Sequence, residues 1–356
     1  MHLSKEYATK EYNIMKKLLY LCLILASGCS TSEKTKISND LTINELKGNV
    51  KSIREIDYAV IIRFDSIIKD HIGTSIFDKN RKSEYNTSGM LTLNVNYDKY
   101  NNITKEQTNE YDEFGNWLRE SIHEKEDSTS WAPKPERQAL YVMKYDNNRD
   151  RVEWVEYDED DRLKLKRTYK YDSRSNIIEQ NEYFNDGALS SKSIYEYTDG
   201  YNLKIINYNS KGQITKEITN EFDNNGNKIE ILTNYAWLDF ESRLTYKYDH
   251  QGNEIESVEF ERGNLRNKMQ STYDLKGRII YTIETFPQDQ NINYTRYKYD
   301  RIGSLIEWKT TYEDKRKIPE SHTFSFIYDE HQNWIKKISY RNFIPEKITE
   351  RKITYH

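Results

Sequence analysis

One pattern constrains this chain more than its length does: a short aromatic segment recurs along it at nearly constant spacing. YKYDHQGNEIE from Tyr246 is nearly repeated as YKYDSRSNIIE from Tyr169 and as YKYDRIGSLIE from Tyr297. Ten copies share an anchor aromatic residue, and seven of the nine gaps between consecutive anchors are 25 or 26 residues. The anchors are Tyr85, Tyr111, Tyr145, Tyr171, Tyr197, Phe222, Tyr248, Tyr273, Tyr299 and Tyr328. Self-similarity at a period of about 20 to 50 residues predicts a tandem repeat protein.

Each repeat has the turn chemistry of a β-hairpin. The residue after the anchor is Asp in eight of ten repeats, and an Asp side chain accepts from backbone N–H groups two residues on, which starts a turn. Gly stands four places after the anchor in six repeats, where a bulged turn requires positive φ. The pairs that we assign to structural turns are Asp112 with Gly115, Asp223 with Gly226, Asp249 with Gly252, Asp274 with Gly277 and Asp300 with Gly303. The next residue is often Asn, which tolerates the same positive-φ region, as at Asn116, Asn227 and Asn253.

The segments between the turns predict antiparallel strands. In β-type alternation, Leu244, Tyr246 and Tyr248 face one way and the residues between them the other. The chain has 31% charged residues, 30 tyrosines and a mean hydropathy of -0.98, so it has too little aliphatic mass for a thick core. We therefore predict an all-β fold of about 20 strands, in which tandem antiparallel hairpin repeats form one long curved or spiral sheet.

Tandem Tyr-Asp-x-x-Gly-Asn hairpins of this kind resemble the YD repeats of the RHS family, which includes bacterial toxins and related animal adhesion proteins. The likeness covers about residues 46–356 and rests on the repetition, since one such hairpin is common. It implies a sheet that spirals into a shell, in some members around a toxin. This chain has a longer repeat, often has Asn or Ser where the family favours Arg, and runs to His356 within the pattern.

Residues 1–28 resemble the signal peptide of a bacterial lipoprotein. A basic start at Met15, the expected initiator, is followed by nine apolar residues, 18–26, and then by Cys29. The apolar run is shorter than the roughly 20 residues of a membrane-spanning helix. We predict cleavage before Cys29 and lipid attachment to its thiol, so the membrane is the expected partner at this end. A plain secretory signal with a chance cysteine is the alternative.

This interpretation divides the chain into three parts and predicts its location. The signal peptide is residues 1–28, a lipid-anchored polar stalk is 29–45, and the repeat domain is 46–356. We expect a position in the cell envelope, at the outer membrane, with either face possible. Cys22 lies in the removed segment, so the mature chain is expected to fold without a disulfide.

No segment has a recognised catalytic pattern, and no enzyme activity is expected. The sequence has no P-loop, GxSxG or HExxH motif, and its histidines lack metal-ligand spacing. The repeated Asp residues after the anchors suggest calcium at first, but local turn hydrogen bonds explain them and the GGxGxDxUx pattern is absent. We predict no cofactor and no metal. Charges of both signs are interspersed and the net charge is only -4, so no nucleic-acid partner is expected.

The two edges of the predicted sheet differ. We call the edge with the YDxxGN-type turns the constant edge, and the edge with the opposite turns, which differ in length, the variable edge. Variable loops on a regular scaffold are where binding residues concentrate. Trp131, Trp237 and Phe240 lie in such loops and are candidates for contact with a glycan or a protein. The alternative is that their rings pack on the sheet.

These observations favour a non-enzymatic, lipid-anchored envelope protein whose sheet is a binding or scaffold surface for a glycan or a cell-envelope protein. Two alternatives stay open. One is an RHS-like component of a polymorphic toxin system, on the family resemblance. The other is an envelope hydrolase.

Overall fold

A computed structural model describes residues 40–64, 66–73, 75, 78–125, 136–238 and 240–356. Apart from one short helix and a 3-10 turn at Pro287–Asp289, the elements in these ranges are β-strands. The helix is α1 (Asp40–Ile43) and the strands are β1 (Val50–Arg63), β2 (Ser66–Ile72), β3 (Asn80–Tyr85), β4 (Leu91–Tyr97), β5 (Ile103–Tyr111), β6 (Trp117–Glu124), β7 (Arg137–Tyr145), β8 (Arg151–Tyr157), β9 (Leu163–Tyr171), β10 (Ile177–Tyr183), β11 (Leu189–Thr198), β12 (Tyr201–Asn209), β13 (Ile214–Phe222), β14 (Lys228–Tyr235), β15 (Phe240–Tyr248), β16 (Glu254–Glu261), β17 (Asn264–Tyr273), β18 (Ile279–Phe286), β19 (Asn291–Tyr299), β20 (Leu305–Tyr312), β21 (Glu320–Tyr328), β22 (Trp334–Arg341) and β23 (Ile344–Tyr355).

The strands form one antiparallel sheet, as the hairpin repeats predict. From β3 to β23 each strand pairs with its neighbour in sequence, and most turns at the constant edge are preceded by a one-residue register shift. Such a shift is a β-bulge, which increases the local twist of the sheet. The prediction of an all-β array of hairpins is confirmed.

The sheet is closed, so the predicted open curved or spiral sheet is wrong. β1 pairs with β3 through Ser52–Ile56 and with β23 through Val50–Ala59, which joins the two ends of the array. Of the 23 strands, only β2 stands outside this ring of 22, because it pairs with the far half of β1 alone. The physical reason for closure is that β1 satisfies the backbone groups of both end strands at once, and a closed sheet has no exposed edge.

Buried charges line the junction where β1 meets β3 and β23. The carboxylate of Glu55, 2% exposed, lies 2.7 Å from Lys79 Nζ and 2.6 Å from Arg351 Nε. Asp57 accepts hydrogen bonds from Thr349 Oγ1 at 2.6 Å and Lys347 Nζ at 3.0 Å. The acids lie on β1, and the bases lie on β23 or just before β3. This charged seam favours the position of β1 between β3 and β23.

The N-terminal segment packs against the sheet before β1 begins. Leu41 of α1 is buried with Val50, Ile53 and Tyr85 in a small apolar cluster. The Lys47 N–H donates to Asn333 Oδ1 at 2.8 Å, which ties this segment to the turn before β22. Residues 40–45, which we assigned to the stalk, therefore lie on the folded body at the constant edge. Cys29 and the predicted signal peptide, residues 1–28, lie outside the described residues.

Candidate functional site

The constant edge consists of turns that hold themselves together. Asp249 Oδ1 accepts from the backbone N–H groups of Gln251 and Asn253, both at 2.9 Å, and Gly252 has φ +83°. Asp112, Asp223 and Asp274 accept equivalent hydrogen bonds, and Asp300 accepts from the N–H groups of Gly303 and Ser304. Their glycines, Gly115, Gly226, Gly277 and Gly303, also have positive φ.

The Asn after the glycine has a different role from the one we expected. Asn116, Asn227 and Asn253 are not in the positive-φ region; instead, each side chain donates to the Asp that starts its turn. The Asn253 Nδ2 group lies 2.9 Å from Asp249 Oδ2. This hydrogen bond is the main reason that the pKa of Asp249 is below its usual value. The amide therefore clamps the turn by its side chain, a role that backbone propensity alone does not indicate.

Six of the anchor tyrosines link their repeat to the one before it by the same hydrogen bond. The Tyr248 hydroxyl donates at 2.8 Å to the carbonyl oxygen of Lys228, the first residue of β14 in the preceding repeat. The same bond joins Tyr111 to Leu91, Tyr145 to Trp117, Tyr171 to Arg151, Tyr273 to Glu254 and Tyr299 to Ile279. Phe222 has no hydroxyl, and there the Asn220 side chain donates to the Asn202 carbonyl at 3.0 Å. The repeated tyrosine is thus a structural residue.

These internal bonds leave the Asp row little capacity for a ligand. Within the described ranges, no group of three or more His, Cys, Asp or Glu side chains is arranged to hold a metal ion. Each turn carboxylate already accepts backbone hydrogen bonds from its own turn, and all but Asp146 also accept one from a side chain. The constant edge is therefore a poor candidate for the functional site.

The variable edge has an open groove at the turn between β14 and β15. The groove has a volume of about 550 Å³ and is lined by Asn234, Tyr235, Ala236, Phe240, Glu241 and Arg262. The Tyr235 and Phe240 rings are 5.5 Å apart and tilted by 58°. The Arg262 guanidinium, from the next turn of this edge, lies 5.5 Å from the Phe240 ring centre. Two aromatic rings and one cation thus converge on one opening.

The three aromatic residues that we singled out fall in different positions. Phe240 lines the groove, and Trp237 follows Ala236 in the same turn with 72% of its surface exposed. Trp131 lies outside the described residues. Tyr235 and Arg262 were missed as site residues, because Tyr235 is one of many tyrosines that end a strand of the repeats and Arg262 belongs to another hairpin. Successive turns alternate between the two edges of the sheet, and this alternation puts residues 236–239 and 262–263 on the same edge. It is the only sequence feature that indicates that Tyr235 and Arg262 are close.

Among the described residues, no helix is long and apolar enough to cross a membrane. No family model matches the chain, and no curated protein matches it.

Solved structures similar to this chain are distant. The Tc holotoxin pore of Photorhabdus luminescens matches 80% of this chain with 13% identity and a TM-score of 0.40, and a TcdB2-TccC3-Cdc42 complex matches 83% with 10% identity and a TM-score of 0.30. The chain spans 18% of each of those toxin chains. A porin-like protein of Bacteroides uniformis matches 86% of this chain and 99% of its own, with 12% identity and a TM-score of 0.31. All three likenesses are to other proteins, and at these TM-scores they carry no argument about function.

Proposed function

We propose that the protein is a non-enzymatic, lipid-anchored protein of the cell envelope that presents its variable edge as a binding surface for a glycan or another envelope protein. The groove between Tyr235, Phe240 and Arg262 carries this proposal. Tyr, Trp and Arg are the residue types that dominate recognition energy at binding sites. The repeat pattern also supports an RHS-type scaffold, used here to hold the groove in place.

The lining of the groove suits a ligand with both apolar and polar faces. Tyr235 and Phe240 offer ring surfaces, while Asn234 and Glu241 supply an amide and a carboxylate. Sites of this kind bind by apolar contact and use a few polar groups to fix orientation. A sugar ring or an extended peptide has both chemistries. Trp237, exposed beside the groove, offers a further surface for stacking.

The proposed anchor gives this surface a fixed location. Acylation at Cys29 would attach the N-terminal end of the chain to a membrane, and a second acyl chain would make that attachment stable. The described chain begins to pack at Asp40, eleven residues later. The tether is therefore short, and the ring stays close to the membrane.

A glycan array tests the proposal directly. The mature chain is expected to bind a defined class of glycan, and replacing Trp237 and Phe240 together by Ala is expected to weaken that binding by about tenfold or more. The matched control is Leu275→Ala, which removes an apolar side chain that is 97% exposed on the constant edge. Loss of binding in the control with binding retained in the groove variant would contradict the proposal.

A further inference from the structure

A second apolar surface lies at the variable edge, where the ring closes. The β1–β2 hairpin and the β22–β23 turn both end there, and four large apolar side chains extend from them. We call Ile62, Phe64, Phe343 and Ile344 the apolar tip. Phe64 is 100% exposed, Phe343 81%, Ile344 65% and Ile62 61%. Together they expose apolar surface on the order of several hundred Å², the size at which a patch marks an interaction site.

The four residues lie at the ends of two strands, β1 and β23, that pair with each other. The pairing ends with Ala59 opposite Lys347, and from there β1 runs on to Arg63 while β23 begins at Ile344. Phe64 follows the last residue of β1, and Phe343 precedes the first residue of β23. The apolar tip is therefore carried by the first and last hairpins of the chain, at one corner of the variable edge.

The backbone at the tip is unfavourable for the residues it holds. Phe64 has φ +47° and Phe343 has φ +68°. This region favours Gly, Asn and Asp, and a bulky residue there is uncommon because of steric strain. A strained aromatic residue that packs against nothing adds no stability to the free molecule. Contact with an apolar surface outside the chain would offset that strain.

The surroundings of the tip favour a bilayer over a flat protein surface. Phe64 is fully exposed, so it protrudes, and a partner has to surround it. Below the tip, Lys69 pairs with Glu350 at 2.8 Å and Arg341 with Glu346 at 2.9 Å. Apolar tips above a collar of ion pairs match the interface of a membrane, where apolar groups enter the acyl boundary and charged side chains stay at the level of the headgroups.

The proposed lipid anchor lies on the same flank of the ring, and this step rests on the proposed acylation of Cys29. Leu41 packs against Val50 of β1 and Tyr85 of β3, so the tether leaves the body beside β1. Ten residues, 30–39, separate Cys29 from Asp40, and the eleven Cα-to-Cα steps between them can span at most about 40 Å. β1 has 14 residues and is about 46 Å long, so the tether and the tip lie at its two ends.

We propose that the apolar tip inserts into the interface of the bilayer that carries the anchor, so that the ring rests on its β1 flank. The groove at β14 and β15 is separated from β1 by eleven strands on one side and by eight on the other. Two-point attachment at this flank turns the groove away from the membrane. The tip thereby sets the orientation in which the ring presents its binding surface.

Vesicle flotation of the unacylated protein tests the proposal separately from the anchor. The mature chain from residue 30, which contains every described strand, is mixed with vesicles of phosphatidylethanolamine and phosphatidylglycerol. We expect it to float with the vesicles. Phe64→Ser together with Phe343→Ser is expected to reduce partitioning on the order of tenfold for each side chain. Leu275→Ser, on the constant edge, and Trp237→Ala, beside the groove, are expected to float like the unchanged chain.

A second readout does not depend on loss of binding. The mature chain from residue 30 has no cysteine, so Phe64→Cys accepts a single polarity-sensitive dye. Its emission is expected to shift to the blue on addition of vesicles, whereas the same dye at Leu275→Cys is expected not to respond.

Failure of the unchanged chain to float, or equal flotation of the double variant, would overturn the proposal. So would a dimer in sedimentation that only the double variant abolishes, because a second copy would then cover the tip. Glycan binding by the groove is unaffected by either outcome.

Discussion

At the scale of single residues, the recurring segment YKYDHQGNEIE has a structural explanation. The Lys between the two tyrosines pairs with the Glu that ends the segment, as Lys247 does with Glu256 at 2.7 Å. The same pair occurs at Lys144 with Glu153, Lys170 with Glu179 and Lys298 with Glu307. Exposed pairs of this kind add little stability singly, but they join the two strands of each hairpin in the same register. The segment recurs because each copy forms the same turn and joins the same two strands of its hairpin.

The positive φ of Gly252 gives the first prediction. Gly252→Val places a β-branched side chain at φ +83°, and a Cβ there would meet no atom within 4 Å, so the whole cost is backbone strain. We expect a loss of about 1 to 3 kcal/mol in the free energy of unfolding. Gln251→Val, at the exposed neighbouring position, is expected to cost little. Chemical denaturation measures both, and equal stabilities of the two variants would contradict the turn geometry.

Residue-level patterns predict the hairpins well and the site only in part. Asp and Gly at fixed offsets act within five residues, so the turns are readable from the sequence without any knowledge of distant contacts. The clamp by Asn253 was missed because a side-chain hydrogen bond and a tolerance for positive φ favour the same residue type. Arg262 was missed because the groove joins two hairpins, and no local pattern relates them.

At the scale of elements, the seam between β1 and its neighbours holds the ring closed. Glu55 is buried among cations; burial alone would raise the pKa of Glu55, but Lys79, Arg351 and Arg81 outweigh it and lower the pKa to about 2. An unfolded Glu has a pKa of about 4.3. The folded state therefore binds this proton less readily than the unfolded state. The resulting stabilisation is fully present above about pH 5 and is lost as the pH falls towards about 2.

Glu55→Gln tests the seam. Removal of the charge leaves buried cations without their partner, so we expect a loss of about 3 to 5 kcal/mol at neutral pH. The fall in stability between about pH 5 and pH 2 is expected to become shallower, because one carboxylate no longer takes up a proton on unfolding. Glu113→Gln, exposed on the constant edge, is the matched control. An unchanged pH profile for Glu55→Gln would contradict the role of the seam.

The closure of the sheet by β1 could not be predicted from the sequence, because it depends on contacts between residues far apart in the chain. Glu55 and Arg351 are 296 residues apart, and β1 has none of the turn residues that mark the other hairpins. Turn chemistry predicts which strands are sequential neighbours, but it does not say whether the two ends of an array meet. The closing contacts depend on complementary charge and on the curvature accumulated over all the hairpins.

For the protein as a whole, acylation at Cys29, if it occurs as proposed, would determine how the ring is held. Cys29→Ser is expected to abolish incorporation of an alkyne-tagged fatty acid in growing cells, because the serine hydroxyl does not replace the thiol as the acceptor. Cys22→Ser, in the signal segment, is expected to leave the label unchanged. Labelling of the Cys29→Ser variant would show that the anchor is not at this residue.

Closure of the ring joins the N-terminal helix, the apolar tip and the groove into one body. Ser52 of β1 and Thr354 of β23 lie directly opposite each other, with their hydroxyl oxygens 2.7 Å apart. The mature chain from residue 30 has no cysteine of its own, so Ser52→Cys with Thr354→Cys introduces a single possible pair. Oxidation is expected to give an intramolecular disulfide in the monomer, seen as faster migration on a non-reducing gel. Free thiols, or disulfides only between chains, would mean that the first and last strands do not meet and that the sheet is open.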